Sequence, residues 1–241
     1  MNKLILCEGE TDAILLSYYL GKVAGWKYSP KPPQNLSIQA TAQNEAVNWY
    51  KKDGDYLLIC AVGGKDNFEN FFEKKIKNPL LLSDAFERVA FVTDRDERET
   101  RFIEASISSV LREFNAELRN NQWKECSYIN DFGIEKNFRA LLVVIPPEQQ
   151  GALETVMLSA IAENDYDKNI VEKTATFAEQ MCVEASRYIS SERLKLKAHL
   201  GLTWAVQYPE KVFTKIDEQI RNVRWEESET LHICFSTLAE I

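Results

Sequence analysis

The chain has only two histidines, His199 and His232, and no two of its five cysteines (Cys7, Cys60, Cys126, Cys182 and Cys234) form a Cys-x-x-Cys pair. That excludes a histidine-rich metal centre, a zinc ribbon and a disulfide framework, all of which need closely spaced or paired ligands. Cys7 and Cys60 sit inside apolar runs and read as small core residues. There is no Gly-x-x-x-x-Gly-Lys-Ser/Thr, hence no P-loop. No apolar run approaches the roughly 18 residues of a membrane helix, and the N-terminus enters a strand by Leu4 without a secretory pattern. The expectation is a cytoplasmic protein without membrane contact. Basic residues are also in short supply: 29 Lys and Arg against 37 Asp and Glu give a net charge of −8. Bulk electrostatics therefore do not advertise a nucleic-acid binder, and only local basic stretches remain, such as Lys74 to Lys77 and the pair Lys195 and Lys197.

With 241 residues, 45% of them hydrophobic and 27% charged, the chain can build one large globular domain or a domain plus a subdomain, with an ample core. Two acidic clusters stand out. Leu4-Ile5-Leu6-Cys7 runs into Glu8-Gly9-Glu10-Thr11-Asp12, and Val89-Ala90-Phe91-Val92-Thr93 runs into Asp94-Arg95-Asp96. Short, continuously apolar runs of this kind read as buried strands of a parallel sheet. Carboxylates at the carboxyl ends of such strands lie where open α/β sheets bind ligands. Glu8, Asp94 and Asp96 are thus expected to converge. Three carboxylates repel one another unless a cation sits among them, and oxygen donors suit Mg2+ or Mn2+. On this reasoning, neutralising Asp96 relieves repulsion in the metal-free protein. Asp12 has two readings, a metal ligand or a carboxylate favouring the positive end of a helix.

Thr11 is expected to cap a helix reaching about Val23, and Gly25 to Pro33 reads as an irregular insertion. Residues Asn44 to Tyr50 look amphipathic but short. Asp53-Gly54 between two apolar arms signals a hairpin whose second arm ends at Val62. Gly63-Gly64-Lys65 follows. Its amides can approach a phosphate, or it is a plain turn into a helix near Asp66. A helix is expected from about Glu97 to Asn115, with Phe102, Ile103, Ile107, Val110 and Leu111 on its buried face. Trp123 to Ile129 and Arg139 to Ile145 read as strands around a Gly133 turn. Gln150-Gly151 opens another helix, with Glu154 in its first turn, and the rest of the chain is helical by pattern, including Arg193 to Val206.

A strand ending in Glu-Gly-x-x-Asp (Glu8, Gly9, Asp12), followed later by a strand ending in Asp-x-Asp (Asp94, Asp96), resembles the Toprim domain of topoisomerases, bacterial primases and OLD-family nucleases. The Gly63-Gly64-Lys65 turn and the Gly151-Ala152-Leu153-Glu154 stretch resemble the OLD-like branch. The resemblance implies Glu154 as a further metal ligand and a helical-tail lysine, Lys197 with Lys195 in reserve, reaching back to the site. It covers about residues 1 to 160 well. The chain departs from the topoisomerase pattern, because no Gly follows Asp96 closely, and from complete OLD proteins, because no ATPase precedes the domain.

The resulting expectation is a Toprim-like α/β domain over 1–164, with a mostly parallel central sheet flanked by helices and an inserted hairpin, and a helical C-terminal subdomain over 165–241. The implied activity is metal-dependent phosphodiester hydrolysis of nucleic acid, DNA or RNA. Glu8, Asp12, Asp94, Asp96 and Glu154 would bind Mg2+ or Mn2+. Glu8 and Lys197 would be catalytic, and Gly63, Gly64 and Lys65 would bind phosphate. The alternative is a non-catalytic module for a nucleotide, nucleic acid or partner protein, a separate ATPase included. A phosphatase with Asp94 as nucleophile fits less well, since Glu97 and Arg98 stand where Thr or Val is wanted.

Overall fold

The structure, a computed structural model, describes residues 1–34, 36–184 and 186–241. Ala185, which falls within the helical reading of the tail, lies outside them. The described residues form a seven-stranded sheet from β1 (Asn2–Cys7), β2 (Lys27–Ser29), β3 (Ala46–Lys52), β4 (Asp55–Ala61), β5 (Arg88–Asp94), β6 (Lys124–Ile129) and β7 (Glu135–Ile145). The order across it is β2-β3-β4-β1-β5-β7-β6. The four central strands β4, β1, β5 and β7 are parallel, while β2, β3 and β6 attach antiparallel at the edges.

The apolar runs of the central strands exist because both faces are covered. On one face Ile5, Cys7, Ile59, Val92 and Val143 pack beneath α1 (Glu10–Val23) and α5 (Leu153–Ile161). On the other, Leu4, Leu6, Cys60, Phe91 and Leu142 meet a second helical layer. That layer comprises α2 (Phe68–Phe71), a π-helical turn (Phe72–Ile76), α3 (Lys77–Ser83) and α4 (Thr100–Val110). The tail forms α6 (Asp165–Glu184), α7 (Glu192–Gln207), α8 (Ile216–Ile220) and α9 (Glu229–Phe235), and it joins the first layer. Leu200, Trp204, Ile220, Trp225 and Phe235 belong to the same apolar cluster as the sheet.

Several local expectations shift. The first helix begins at Glu10 with Gly9 as its N-cap, so Thr11 lies inside it. Part of the stretch read as an irregular insertion is β2, and Ala46–Lys52 is a strand paired along its length with β4. The hairpin between β3 and β4 turns at Asp53 and Gly54, both at positive φ (50° and 94°), as a two-residue turn matched to the strand twist requires. The helix placed over Glu97–Asn115 is shorter, because Glu99 is its N-cap and the chain tightens to a 3-10 turn at Arg112–Phe114. Phe102, expected on its buried face, is exposed.

Candidate functional site

Parallel strands in the order β4-β1-β5-β7 bring four carboxyl ends to one edge of the sheet. Glu8 follows β1, Gly63 to Lys65 follow β4, Asp94 closes β5 with Asp96 two residues on, and Glu154 opens α5 after β7. The three-dimensional neighbourhood thus follows from strand order alone.

Each carboxylate is held in a different way. Glu8 is almost fully buried. Its Oε1 accepts from Thr93 Oγ1 at 2.6 Å and from the Asp94 amide at 2.9 Å, while Oε2 is buried without a hydrogen-bond partner. Asp12 Oδ2 accepts from the Gly9 amide at 3.0 Å, which is the helix-start role, but Oδ1 is also buried and unpartnered. The helix-start reading of Asp12 is thus met by Oδ2, while Oδ1 has no hydrogen-bond partner. Asp94 Oδ1 accepts from the Leu153 amide at 2.8 Å. Asp96 sits in the left-handed region (φ 51°) and exchanges backbone hydrogen bonds with Gly151. Gly151 itself is at φ 143°, and a Cβ there would lie 2.4 Å from Thr155 Oγ1, so only glycine allows this close pairing. Glu154 is buried beside these groups.

Burial and mutual repulsion work against ionisation here. Burial, then the Glu8 and Glu154 charges, push the Asp12 carboxyl up to about 7. Asp94 is raised well above the carboxylate range, first by burial and then by Asp12, Glu8 and Glu154.

Three cations answer the carboxylates. Lys65 Nζ donates to the Asp94 carbonyl and to Asp96 Oδ2, both at 2.6 Å, and stands 3.7 Å from Glu8 Oε1. Lys197 Nζ is 3.6 Å from Glu154 Oε1, whereas Lys195 pairs with Glu192 on its own helix. Of the two tail lysines, Lys197 is the one in the site. Arg193, one turn earlier on α7, places its guanidinium 3.9 Å from Glu8 Oε2 and within the field of Asp94, Asp96 and Glu154. Sequence reasoning passes over Arg193, because a charged residue every turn is ordinary for a solvent-facing helix. Thr93 is missed as well, although its place between the apolar run and Asp94 is the signal for it.

The Gly63 and Gly64 amides both donate to the Glu8 carbonyl, at 3.0 and 2.8 Å. This is a departure from their reading as phosphate ligands. They close the turn and aim Lys65 at the carboxylates instead of offering free donors to an anion. Neutralising Asp96 also changes meaning, since it removes the partner of Lys65 rather than a repulsion. A cleft of about 830 Å3 opens beside the cluster, lined by Asp96, Arg98, Gln150, Gly151, Ser191 and Arg193 among others. Among the described residues no group of three or more His, Cys, Asp or Glu side chains is placed to hold a metal ion. No described helix is long and apolar enough to cross a membrane.

Fold and site together define an α/β protein with a buried carboxylate cluster at the carboxyl edge of its parallel strands. The family described as "Protein of unknown function (DUF3226)" matches residues 2–240, and the chain belongs to that family. Among solved structures it is similar to a hypothetical protein from Pyrococcus horikoshii OT3, with a TM-score of 0.52 and 15% identity over 98% of this chain and 99% of that one. The likeness concerns the fold. No curated protein matches the chain.

Proposed function

We propose that this chain is a Toprim-like, metal-dependent phosphodiester hydrolase acting on DNA or RNA in the cytoplasm. The supporting observation is the pair of buried, unpartnered oxygens, Glu8 Oε2 and Asp12 Oδ1, within a cluster completed by Asp94 and Glu154. A buried carboxylate oxygen without a donor is costly unless a proton or a cation satisfies it. An all-oxygen donor set fits Mg2+ or Mn2+. Such an ion, when bound, polarises a phosphoryl oxygen and makes a nucleophile of water near neutral pH. The chain's own part is orientation and charge. Thr93 and the Asp94 amide fix the Glu8 carboxylate, and the Leu153 amide fixes Asp94. Arg193, which lines the cleft, and Lys197, both half-exposed, meet the charge that develops on the phosphoryl oxygens. A separate ATPase fits as a partner on the OLD-like resemblance.

Incubation of labelled DNA and RNA with Mg2+ or Mn2+ tests this. Glu8→Gln and Asp94→Asn are each expected to abolish cleavage with the fold intact. Lys197→Ala is expected to slow it by about 100-fold or more, the cost of one lost charge-stabilising donor. Wild-type rates in both carboxylate variants would overturn the assignment. The net charge of −8 and the bonded Lys65 favour a second reading, a non-catalytic module for nucleotide, nucleic acid or a partner protein. Binding without cleavage in the same assay distinguishes it.

A further inference from the structure

A second large groove, of about 760 Å3, lies on the α1 face of the sheet, between α1, α8 and the antiparallel pair β2 and β3. That is within the size range of sites that hold a small organic group. On its β2–β3 side Tyr28 and Tyr50 stand directly opposite each other. Their rings meet edge to face, with centroids 6.0 Å apart and planes at 76°. Tyr50 is partly buried against the apolar cluster of the sheet, so it anchors the pair. Tyr28 is 64% exposed, which leaves ring surface uncovered. An aromatic side chain this exposed on a three-residue edge strand adds little to the core, and its apolar area is recovered only when something covers it.

The rest of the groove supplies what such a cover needs. Ile14 of α1 and Ile216 of α8 give it apolar sides. Asn48, on the same strand face as Tyr50, adds an amide that both donates and accepts. Glu10 and Asp217 bring carboxylates, and Lys215 and Arg221 bring cations, so the formal charges cancel. The Arg221 side chain is 68% exposed and only loosely paired, 3.8 Å from Asp217. An open aromatic ring flanked by amide and carboxylate groups, with an exposed guanidinium beside them, matches a nucleobase with its phosphate. The base has flat faces that stack and an edge of donors and acceptors in the ring plane. Position agrees with this. Glu10 lies between Glu8 and Asp12, and the wall continues along α1 to Ser17, about 10 Å further on.

We infer that this groove binds an unpaired base of a single-stranded nucleic acid, stacked on Tyr28. The inference goes beyond the hydrolase reading, because stacking requires neither metal nor cleavage; together with that reading it makes the substrate single-stranded. A base in a duplex has both faces covered and reaches Tyr28 only by being unstacked. A groove without net charge also suits a chain of net charge −8, since stacking, not phosphate neutralisation, then carries the binding. Salt should therefore act weakly. With two cations available, log K should fall with log salt no more steeply than about −1.4, or about −0.7 for each.

The test is fluorescence anisotropy of labelled oligonucleotides of about 12 residues, single-stranded and annealed, with the full chain in EDTA. Unlabelled nucleoside monophosphates serve as competitors, and thermal melting confirms that each variant is folded. The wild type is expected to bind the single strand about tenfold or more tighter than the duplex. Tyr28→Ala is expected to weaken single-strand binding by about tenfold or more, the effect of one lost stacking partner, and Tyr28→Trp to retain it. Single-strand binding with this pattern but without cleavage in Mg2+ or Mn2+ would sustain the inference and overturn the hydrolase. Unchanged affinity in Tyr28→Ala, or equal binding of duplex and single strand, would overturn the inference and leave the hydrolase to its own cleavage assay. Monophosphates that match the strand in affinity would assign the groove to a free nucleotide and overturn the single-strand assignment. Absence of oligonucleotide binding would overturn it as well and leave Tyr28 to a partner protein.

Discussion

Glu45 and Asp12 carry the same chemical group to opposite ends of the acidic range. Burial raises both, but at Glu45 a hydrogen bond from Lys75 Nζ at 2.6 Å and the amides of Thr41 and Ala42 prevail, and the carboxyl is held at about 2. Asp12 has one amide and two neighbouring carboxylates and lies at about 7. The Glu45 case gives a stability prediction with a definite sign. Its folded value lies below the ordinary 4.5, so its contribution is present above that value and fades as pH falls toward 2. Glu45→Gln is expected to cost about 1–3 kcal/mol at neutral pH, the scale of hydrogen bonds to a charged group. Urea denaturation of both proteins at about pH 7 and about pH 3.5 should show that gap narrowing at the lower pH. A gap independent of pH would mean that Glu45 acts by packing alone. The residues that sequence reasoning finds are those that interrupt a pattern. Glu8, Asp94 and Asp96 end apolar runs and are conspicuous for it. Lys65 is conspicuous after two glycines, yet its role depends on Asp96 being turned back by Gly151, a long-range contact that no local pattern carries. Arg193 interrupts nothing and stays invisible.

Elements with both faces buried or with strict turn chemistry are legible. The β1 and β5 runs, the Asp53-Gly54 hairpin and the Gly133 turn before β7 follow from period and backbone requirements. The start of β3 is not legible, because Asn48 breaks its alternation before the hairpin arm, and pairing with β4 decides its state. α4 is overextended for a related reason: Phe102 continues the apolar spacing, but the sheet covers only the stripe of Ile103, Ile107 and Val110. Element ends are likewise set by tertiary contacts. α9 is seven residues long and too short to hold itself. Glu163, just beyond α5, accepts from Ser228 Oγ at 2.9 Å and from the amides of Glu229 and Thr230 at 3.2 and 2.8 Å, so a residue 65 positions away joins Ser228 in capping the helix. Glu163→Ala is expected to cost about 1–2 kcal/mol, as lost caps do. Amide exchange should quicken in α9 and leave α1 and α4 unchanged. Uniform or absent acceleration would show that α9 is held by its apolar face without that cap.

At the scale of the whole molecule, the tail completes the layer over one face of the sheet together with α1 and α5. Ile220, Trp225 and Phe235 are fully buried, Trp204 nearly so, and all four belong to the apolar cluster that includes Ile5, Ile59 and Val92. Sequence pattern shows that residues beyond 164 are helical, but it does not show which surface they cover, since amphipathic helices of this kind dock on any apolar face. Burying each of these side chains is worth about 1.5–3 kcal/mol. Four of them together, about 6–12 kcal/mol, are comparable to the 5–15 kcal/mol by which a domain is stable. The tail also carries Arg193 and Lys197, so α7 links the core to the site. A chain ending at residue 164 is therefore expected not to fold cooperatively. It should bind a hydrophobic dye strongly, show no sharp thermal transition and give no Mn2+ response. The contrast is with a variant that keeps the tail but loses its charges at the site, Arg193→Met with Lys197→Met, which should melt cooperatively within a few degrees of the wild type, as surface changes do. A truncated chain with a cooperative transition would establish residues 1–164 as a domain in their own right, and the tail would then be an accessory to the site, not part of the core.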